Sequence, residues 1–203
     1  MQINSDFEFV IKLMIIGDSG VGKTNFIFQF TEGKFSPLHV STVGLDSKSK
    51  IIKLPKLKKN VKIQIWDTAG QERYMALNKN FFHKVQGIIL MYDLTNRDSF
   101  ENVSNWLNLI SQTVTNKTII LIGNKLDLED QRIVSETEGV RIADENKILF
   151  FEGSGCTGEN VNKIFTEIAE TIYSNLIGDT RNSKLTLNNT NNGKKKKRCC
   201  RDS

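Results

Sequence analysis

No run in this chain approaches the ~18 consecutive apolar residues that a membrane-spanning helix requires. Cysteine is scarce, with three in 203 residues, two of them adjacent near the C-terminus. That count and spacing exclude a disulfide framework and suit no zinc site. Met1 to Glu8 hold two acids and no basic residue, so neither a signal peptide nor a transit peptide is expected. Gln2 stands where a myristoylation start needs glycine. No internal repeat is present. The expected compartment is therefore cytosolic, and the sequons at Asn102, Asn116 and Asn188 are expected to be incidental.

Basic charge is also missing from most of the chain, although the formal net charge is +5. Residues 178–203 carry eight basic residues against two acidic ones, and the other 177 residues carry 20 against 21. An excess confined to one end speaks against a nucleic-acid-binding domain and for a local electrostatic anchor. A second concentration, Lys48, Lys50, Lys53, Lys56, Lys58, Lys59 and Lys62, reads as a solvated face or as a dock for an acidic partner or anionic lipid.

The length is that of one domain with a full core. Apolar runs at Phe9–Ile16, Gly87–Asp93 and Lys117–Asn124 have the continuity of strands buried on both faces. Ser49–Leu54 and Val61–Trp66 flank a turn at 55–60, and Ile148–Glu152 supplies a sixth, short strand. Helical spacing is present from Gly22 to about Thr31 and over Ser99–Gln112, Ser135–Asn146 and Glu159–Leu176. Strands alternating with helices indicate an α/β fold with a mainly parallel sheet. From Gly178 apolar residues nearly vanish, and the composition predicts a disordered tail.

Between the first strand and the first helix lies Gly17-Asp18-Ser19-Gly20-Val21-Gly22-Lys23-Thr24. This is G-x-x-x-x-G-K-[ST] in the strand–loop–helix context that gives it meaning. Its glycines allow successive backbone N–H groups to line an anion-binding concavity at a helix N-terminus. Lys23 is placed to reach β- and γ-phosphates, and the Thr24 hydroxyl to ligate Mg²⁺. The loop alone admits ATPases, kinases and GTPases. Asn124-Lys125-Leu126-Asp127, at the end of an apolar strand, selects guanine. The Asp127 carboxylate only accepts hydrogen bonds, and guanine offers it two N–H donors that adenine lacks. Asn124 is expected to brace base and loop, and the Lys125 stem to cover a base face.

Between these anchors stands Trp66-Asp67-Thr68-Ala69-Gly70-Gln71-Glu72-Arg73-Tyr74. With the two motifs above, it makes residues 9–176 resemble the Ras-like small GTPases, and within them the Rab family of membrane-traffic regulators. Met91-Tyr92-Asp93-Leu94-Thr95 and Ser99-Phe100-Glu101-Asn102-Val103 leading to Trp106 are Rab-like too. The resemblance implies a P-loop NTPase small G domain over 1–177, with a mainly parallel six-stranded sheet and helices on both faces. It implies GTP or GDP with Mg²⁺ as ligands, and slow GTP hydrolysis accelerated by a GTPase-activating protein (GAP). Asp67 would support Mg²⁺ through water, the Gly70 N–H would sense the γ-phosphate, and Gln71 would orient the attacking water. Thr42 would join Mg²⁺ only in the GTP state. Nucleotide contacts would extend to Asn25, Phe35, Ser154, Gly155 and Cys156, with Phe35 edge-on to the base and the Gly155 N–H at guanine O6. Also implied are a monomer, an exchange factor, a GDP-dissociation inhibitor or escort protein, effectors, and no nucleic acid.

The chain departs from the Rab pattern at several points. Ser47 replaces a Phe that would join Trp66 and Phe81 in an aromatic triad, and Phe81-Phe82-His83 replaces Tyr-Tyr-Arg. Glu152-Gly153-Ser154-Gly155-Cys156 replaces Glu-Thr-Ser-Ala-Lys, where added glycine predicts a looser loop and faster nucleotide exchange. A second reading stays open, a module that binds GTP but barely hydrolyses it, since no Arg or Lys lies between Ser36 and Val43. At the end of 178–203, Cys199 and Cys200 resemble the doubly geranylgeranylated Rab tail. Charged Arg201 and Asp202 fit a single C-a-a-X prenylation poorly. With Lys194 to Arg198, the expectation is a lipid anchor on the cytoplasmic face of an intracellular or plasma membrane.

Overall fold

The computed structural model describes residues 6–37, 45–68, 82–115 and 117–190, with side chains through residue 177 except that of Leu45. The chain runs β1 (Phe9–Ile16), α1 (Lys23–Glu32), β2 (Leu45–Leu54), β3 (Lys59–Thr68) and β4 (Gly87–Asp93). It continues through α2 (Arg97–Glu101), α3 (Val103–Thr113), β5 (Thr118–Asn124), a 3₁₀ turn (Leu126–Gln131), α4 (Glu136–Asn146), β6 (Leu149–Gly153) and α5 (Val161–Thr190). The six strands form one sheet in the order β2-β3-β1-β4-β5-β6. Only β2 against β3 is antiparallel; the other pairs are parallel.

The period-2 alternation of strand side chains divides the core in two. Ile11, Leu13 and Ile15 of β1 join Ile89, Met91, Ile120 and Ile122 on one face. There they meet Phe26 and Phe30 of α1 and Ile164, Phe165 and Ile168 of α5. Met14 and Ile16 join Ile88, Leu90 and Leu121 on the other, against Val103, Trp106 and Ile110 of α3. Both faces are covered, which is why β4 is buried at all seven residues and reads as an unbroken apolar run. From β1 the chain passes to the edge strand β2, returns through β3 beside β1, then crosses to β4, β5 and β6. A crevice at the carboxyl ends of the strands opens where such an order reverses.

Several elements differ from their sequence expectations. β2 and β3 extend to a ten-residue antiparallel ladder, Leu45 opposite Thr68, because pairing recruits polar residues that carry no apolar alternation. The expected helix over 99–112 is two helices meeting at Asn102, with Asn96 accepting from the Ser99 N–H at the start. The final helix does not stop where its apolar stripe ends. Its backbone continues through Gly178 to Thr190, so the tail expected to lack structure from 178 begins as helix, and 191–203 lie outside the described residues.

The lysine-rich ladder is not a free basic face. Lys48 pairs with Glu32 at 2.7 Å and lies 4.1 Å over the Phe28 ring. Lys50 donates to the Phe30 carbonyl and Lys59 to Glu8. Lys56 reaches Glu167 and the buried Glu170, at 3.1 and 2.7 Å, and its backbone N–H also donates to Glu170. Local carboxylates thus already engage Lys48, Lys56 and Lys59.

Candidate functional site

The loop leaving β1 occupies the reversal crevice, and its shape depends on glycine. Gly17, Gly20 and Gly22 take φ of 138°, 80° and 96°, where L side chains are strained. A Cβ on Gly17 would lie 2.1 Å from the Met91 carbonyl oxygen, and one on Gly22 2.5 Å from Asn124 Nδ2. Gly22 is the N-cap of α1, so Lys23 and Thr24 open the helix at its positive dipole end. Lys23 is 6 % exposed. Its Nζ curls back over the loop and donates to the carbonyls of Gly17 and Asp18, at 2.8 and 2.7 Å. Burial lowers its pKa to about 8 against the opposing pull of Asp67 and Asp18. An ammonium held over an N–H-lined loop is the charge complement of a polyphosphate.

At the carboxyl end of β3, Asp67 Oδ2 accepts from Thr24 Oγ1 at 2.6 Å. Thr68 fixes that strand end by donating to the Ile15 carbonyl at 2.8 Å. A hydroxyl and a carboxylate beside the phosphate loop are the hard-oxygen set that Mg²⁺ takes, along with water and phosphate. These residues fit that ion.

The base end is built from the strand-end loops after β5 and β6. Asn124, 2 % exposed, donates from Nδ2 to the Val21 carbonyl at 2.8 Å and accepts the Gly155 N–H at 3.0 Å. It therefore braces the phosphate loop against the β6 loop. The Gly155 N–H, expected at guanine O6, is engaged by Asn124 here. Lys125 has φ 71°, and its Nζ pairs with buried Asp93 at 2.6 Å. That pair fixes the course of the Lys125 stem. Exposed Asp127 accepts from Ser154 Oγ through Oδ1. Ser154 Oγ also accepts the N–H groups of Cys156 and Thr157 at 3.1 and 3.0 Å.

The two glycines of this loop serve close approach rather than slackness. A Cβ on Gly155 would stand 3.0 Å from the Phe26 backbone nitrogen, and one on Gly153 3.0 Å from the Glu159 carbonyl oxygen. The loop is bonded along its length, with Ser154 N–H to Glu159 O at 3.1 Å and Asn160 Nδ2 to Glu152 O at 2.9 Å. Arg132 clamps Glu152 through two parallel bonds of 2.8 Å, tying the segment after Asp127 to β6. Sequence reasoning missed Asp93, Arg132 and Asn160. Their roles lie in long-range pairing, and the only local signal was a lone acid closing the β4 run. On the near side, Asn25 exchanges two hydrogen bonds with the Ser36 backbone, at 3.0 and 3.2 Å, and this holds the loop that presents Phe35, 44 % exposed. Thr42, Gly70, Gln71, Phe81, Cys199 and Cys200 lie outside the described residues.

The Ras family model matches residues 12–174. The chain is 39% identical to Ras-related protein Rab-10 of Diplobatis ommata, covering 96% of this chain and 97% of the relative. It is 39% identical to human Ras-related protein Rab-27B, covering 94% and 93%. The GTP-binding protein ypt2 of Schizosaccharomyces pombe is 40% identical, covering 96% and 98%. With its phosphate loop, Thr24–Asp67 pair and Asn124-braced base loops in place, the chain belongs to the Ras family, as a Rab-type GTPase.

Proposed function

We propose that the chain works as a Mg²⁺-dependent GTP/GDP switch at the cytoplasmic face of a membrane, recruiting effectors in its GTP form. One observation carries the reading most directly. The Asn124 side chain joins the loop that cradles phosphate to the loop that supports Asp127, so phosphate binding and base reading are parts of one rigid site.

The residues divide the work by their chemistry. Lys23 exchanges two neutral carbonyl acceptors for phosphate oxygens, a charge-assisted contact that strengthens as negative charge builds on the transferred group. Thr24 would hold Mg²⁺ and Asp67 would support it through water, and the ion would neutralise charge on the β- and γ-phosphates. Asp127, oriented by Ser154, accepts from the guanine edge, and a base lacking those donors leaves it unpaired. Gln71 orients the attacking water, and Thr42 and Gly70 report the γ-phosphate, as the Ras-type template implies. That template sets an unassisted rate of about 10⁻⁴ s⁻¹ and a roughly 10⁵-fold gain with a GAP. The expected partners are an exchange factor, a GAP, an escort or dissociation-inhibitor protein, and effectors, each met by a monomer.

Anchoring rests on Cys199 and Cys200 with Lys194 to Arg198. Two lipid chains plus a polybasic segment exceed the two signals that stable attachment needs, each basic residue adding about 1 kcal/mol near an anionic leaflet. Single-turnover GTP hydrolysis, with and without cell extract, tests the switch. Slow hydrolysis that extract accelerates and Gln71→Leu abolishes is the expected result. Tight GTP binding without hydrolysis under either condition would make the chain a binding module only. Cys199→Ser with Cys200→Ser should release the protein from membranes while GTP binding stays intact. An intact mass without prenyl adducts from its own cells would refute the anchor.

A further inference from the structure

Asp18, the second residue of the phosphate loop, turns its carboxylate toward the α2–α3 junction. Oδ2 accepts from Asn102 Nδ2 at 2.7 Å, and Oδ1 accepts from Trp106 Nε1 at 2.8 Å. Neither donor carries charge, so the contact is not a generic ion pair. Both oxygens are taken in defined directions by charge-assisted bonds. Asn105 Nδ2 donates to Asn102 Oδ1 at 3.2 Å, which sets the Asn102 amide so that its donors face Asp18. Trp106 is 6 % exposed, packed in the core cluster with Met14 and Ile16, so its N–H has a fixed place.

The same Asp18 presents its backbone carbonyl to Lys23 Nζ at 2.7 Å. Side chain and main chain of one residue thus link the α2–α3 junction to the lysine that meets phosphate. The other end of this segment is also tied to the site. Ser99 Oγ accepts the Asp93 N–H at 3.0 Å, and Asp93 holds Lys125 at 2.6 Å.

We infer that Asn102 and Trp106 are positioning residues for the phosphate loop, holding Asp18 so that the loop stays closed on nucleotide and release is slow. The inference rests on the guanine-nucleotide reading above. A partner that shifted the start of α3 would loosen the phosphate end without touching it. Asn102 and Trp106 act on the loop through the Asp18 carboxylate.

Release of a fluorescent N-methylanthraniloyl GDP from the full chain, chased with unlabelled GDP at millimolar Mg²⁺, tests this. Trp106→Phe keeps the ring and removes the donor, while Asn102→Ala changes an exposed residue and leaves the core intact. Each should speed release several-fold, and the pair about tenfold, in line with the loss of bonds to a charged group. In an Asp18→Ala background, which should itself release faster, neither substitution should add further acceleration. Rates within twofold of the unmodified chain would overturn the inference. So would equal acceleration by Trp106→Phe with and without Asp18, which would make its role core packing. An unmodified chain that never retains the fluorescent GDP would overturn the nucleotide reading, and the positioning role with it.

Discussion

At the residue scale, Lys23 should make nucleotide binding pH-dependent. Burial lowers its pKa from 10.5 to about 8 in the phosphate loop, whereas phosphate oxygens favour the ammonium. Between those two values the free protein binds fewer protons at Lys23 than its nucleotide complex does. Binding therefore takes up a proton above pH 8, and affinity should fall by up to about tenfold per pH unit as pH rises past 8. Calorimetry in two buffers of different ionisation enthalpy should show that uptake at pH 8.5 and little at pH 7. The unfolded chain likewise binds more protons there, so this group's cost to folding is present below pH 8 and is relieved toward 10.5. At the base end, Asp127→Asn replaces an acceptor by an amide that also donates, so guanine should lose affinity and xanthine gain it in competition binding. Lys23 and Asp127 were legible as candidate residues because each stands in a fixed spacing that chemistry demands. The partners of Asp93 and Arg132 were not, since a carboxylate or guanidinium meets its mate only after the sheet assembles.

At the scale of elements, two carboxylates join what the chain separates. Glu138, on the first turn of α4, accepts from Arg97 of α2 at 2.7 Å and from the Ser135 N–H and hydroxyl at 3.1 and 2.8 Å. Its pKa falls to about 2, chiefly through Arg97 and then Ser135. A carboxyl depressed in the fold contributes above its ordinary value near 4.5 and loses that contribution as pH drops toward 2. Urea titrations from pH 5 to 2 should show a shallower acid loss for Glu138→Gln. Arg132 and Glu152 are 19 % and 10 % exposed in their side chains. Removing Arg132 leaves a largely buried carboxylate, and Arg132→Ala should cost about 3 kcal/mol in thermal unfolding. Pairing it with Glu152→Leu should recover part of that loss. β1 and β4 match their apolar runs residue for residue because both of their faces are buried. β2 exceeded its run at residues 45–48, which include Asp46, Ser47 and Lys48, since an edge strand is set by pairing rather than by burial. α5 outran its apolar stripe: packing of that stripe explains the helix through residue 176, and the helical backbone runs on to Thr190.

Across the whole molecule, the sheet order brings three strand ends to one crevice: the loop after β1, Asp67 from β3 and Asn124 from β5. Asn124 and its loop partner Val21 are 103 residues apart in sequence, and the parallel pairing of β1 with β3 and β4, and of β4 with β5, unites the three ends. Charge follows a different plan. At the sheet edge Lys48 pairs with Glu32, Lys56 with Glu167 and Glu170, and Lys59 with Glu8, while the main basic excess of the chain lies in residues 178–203. Lys56→Glu should therefore lower stability through Glu167 and Glu170 and leave membrane retention unchanged in a flotation assay. The central claim is that one Asn124-braced site reads guanine and binds its phosphates together. Displacement of bound fluorescent GDP by unlabelled nucleotides at millimolar Mg²⁺ measures it directly. GTP and GDP should each displace the probe at near-equal concentration, and ATP should fail at a thousandfold excess. Displacement by ATP within tenfold of GTP would contradict the account.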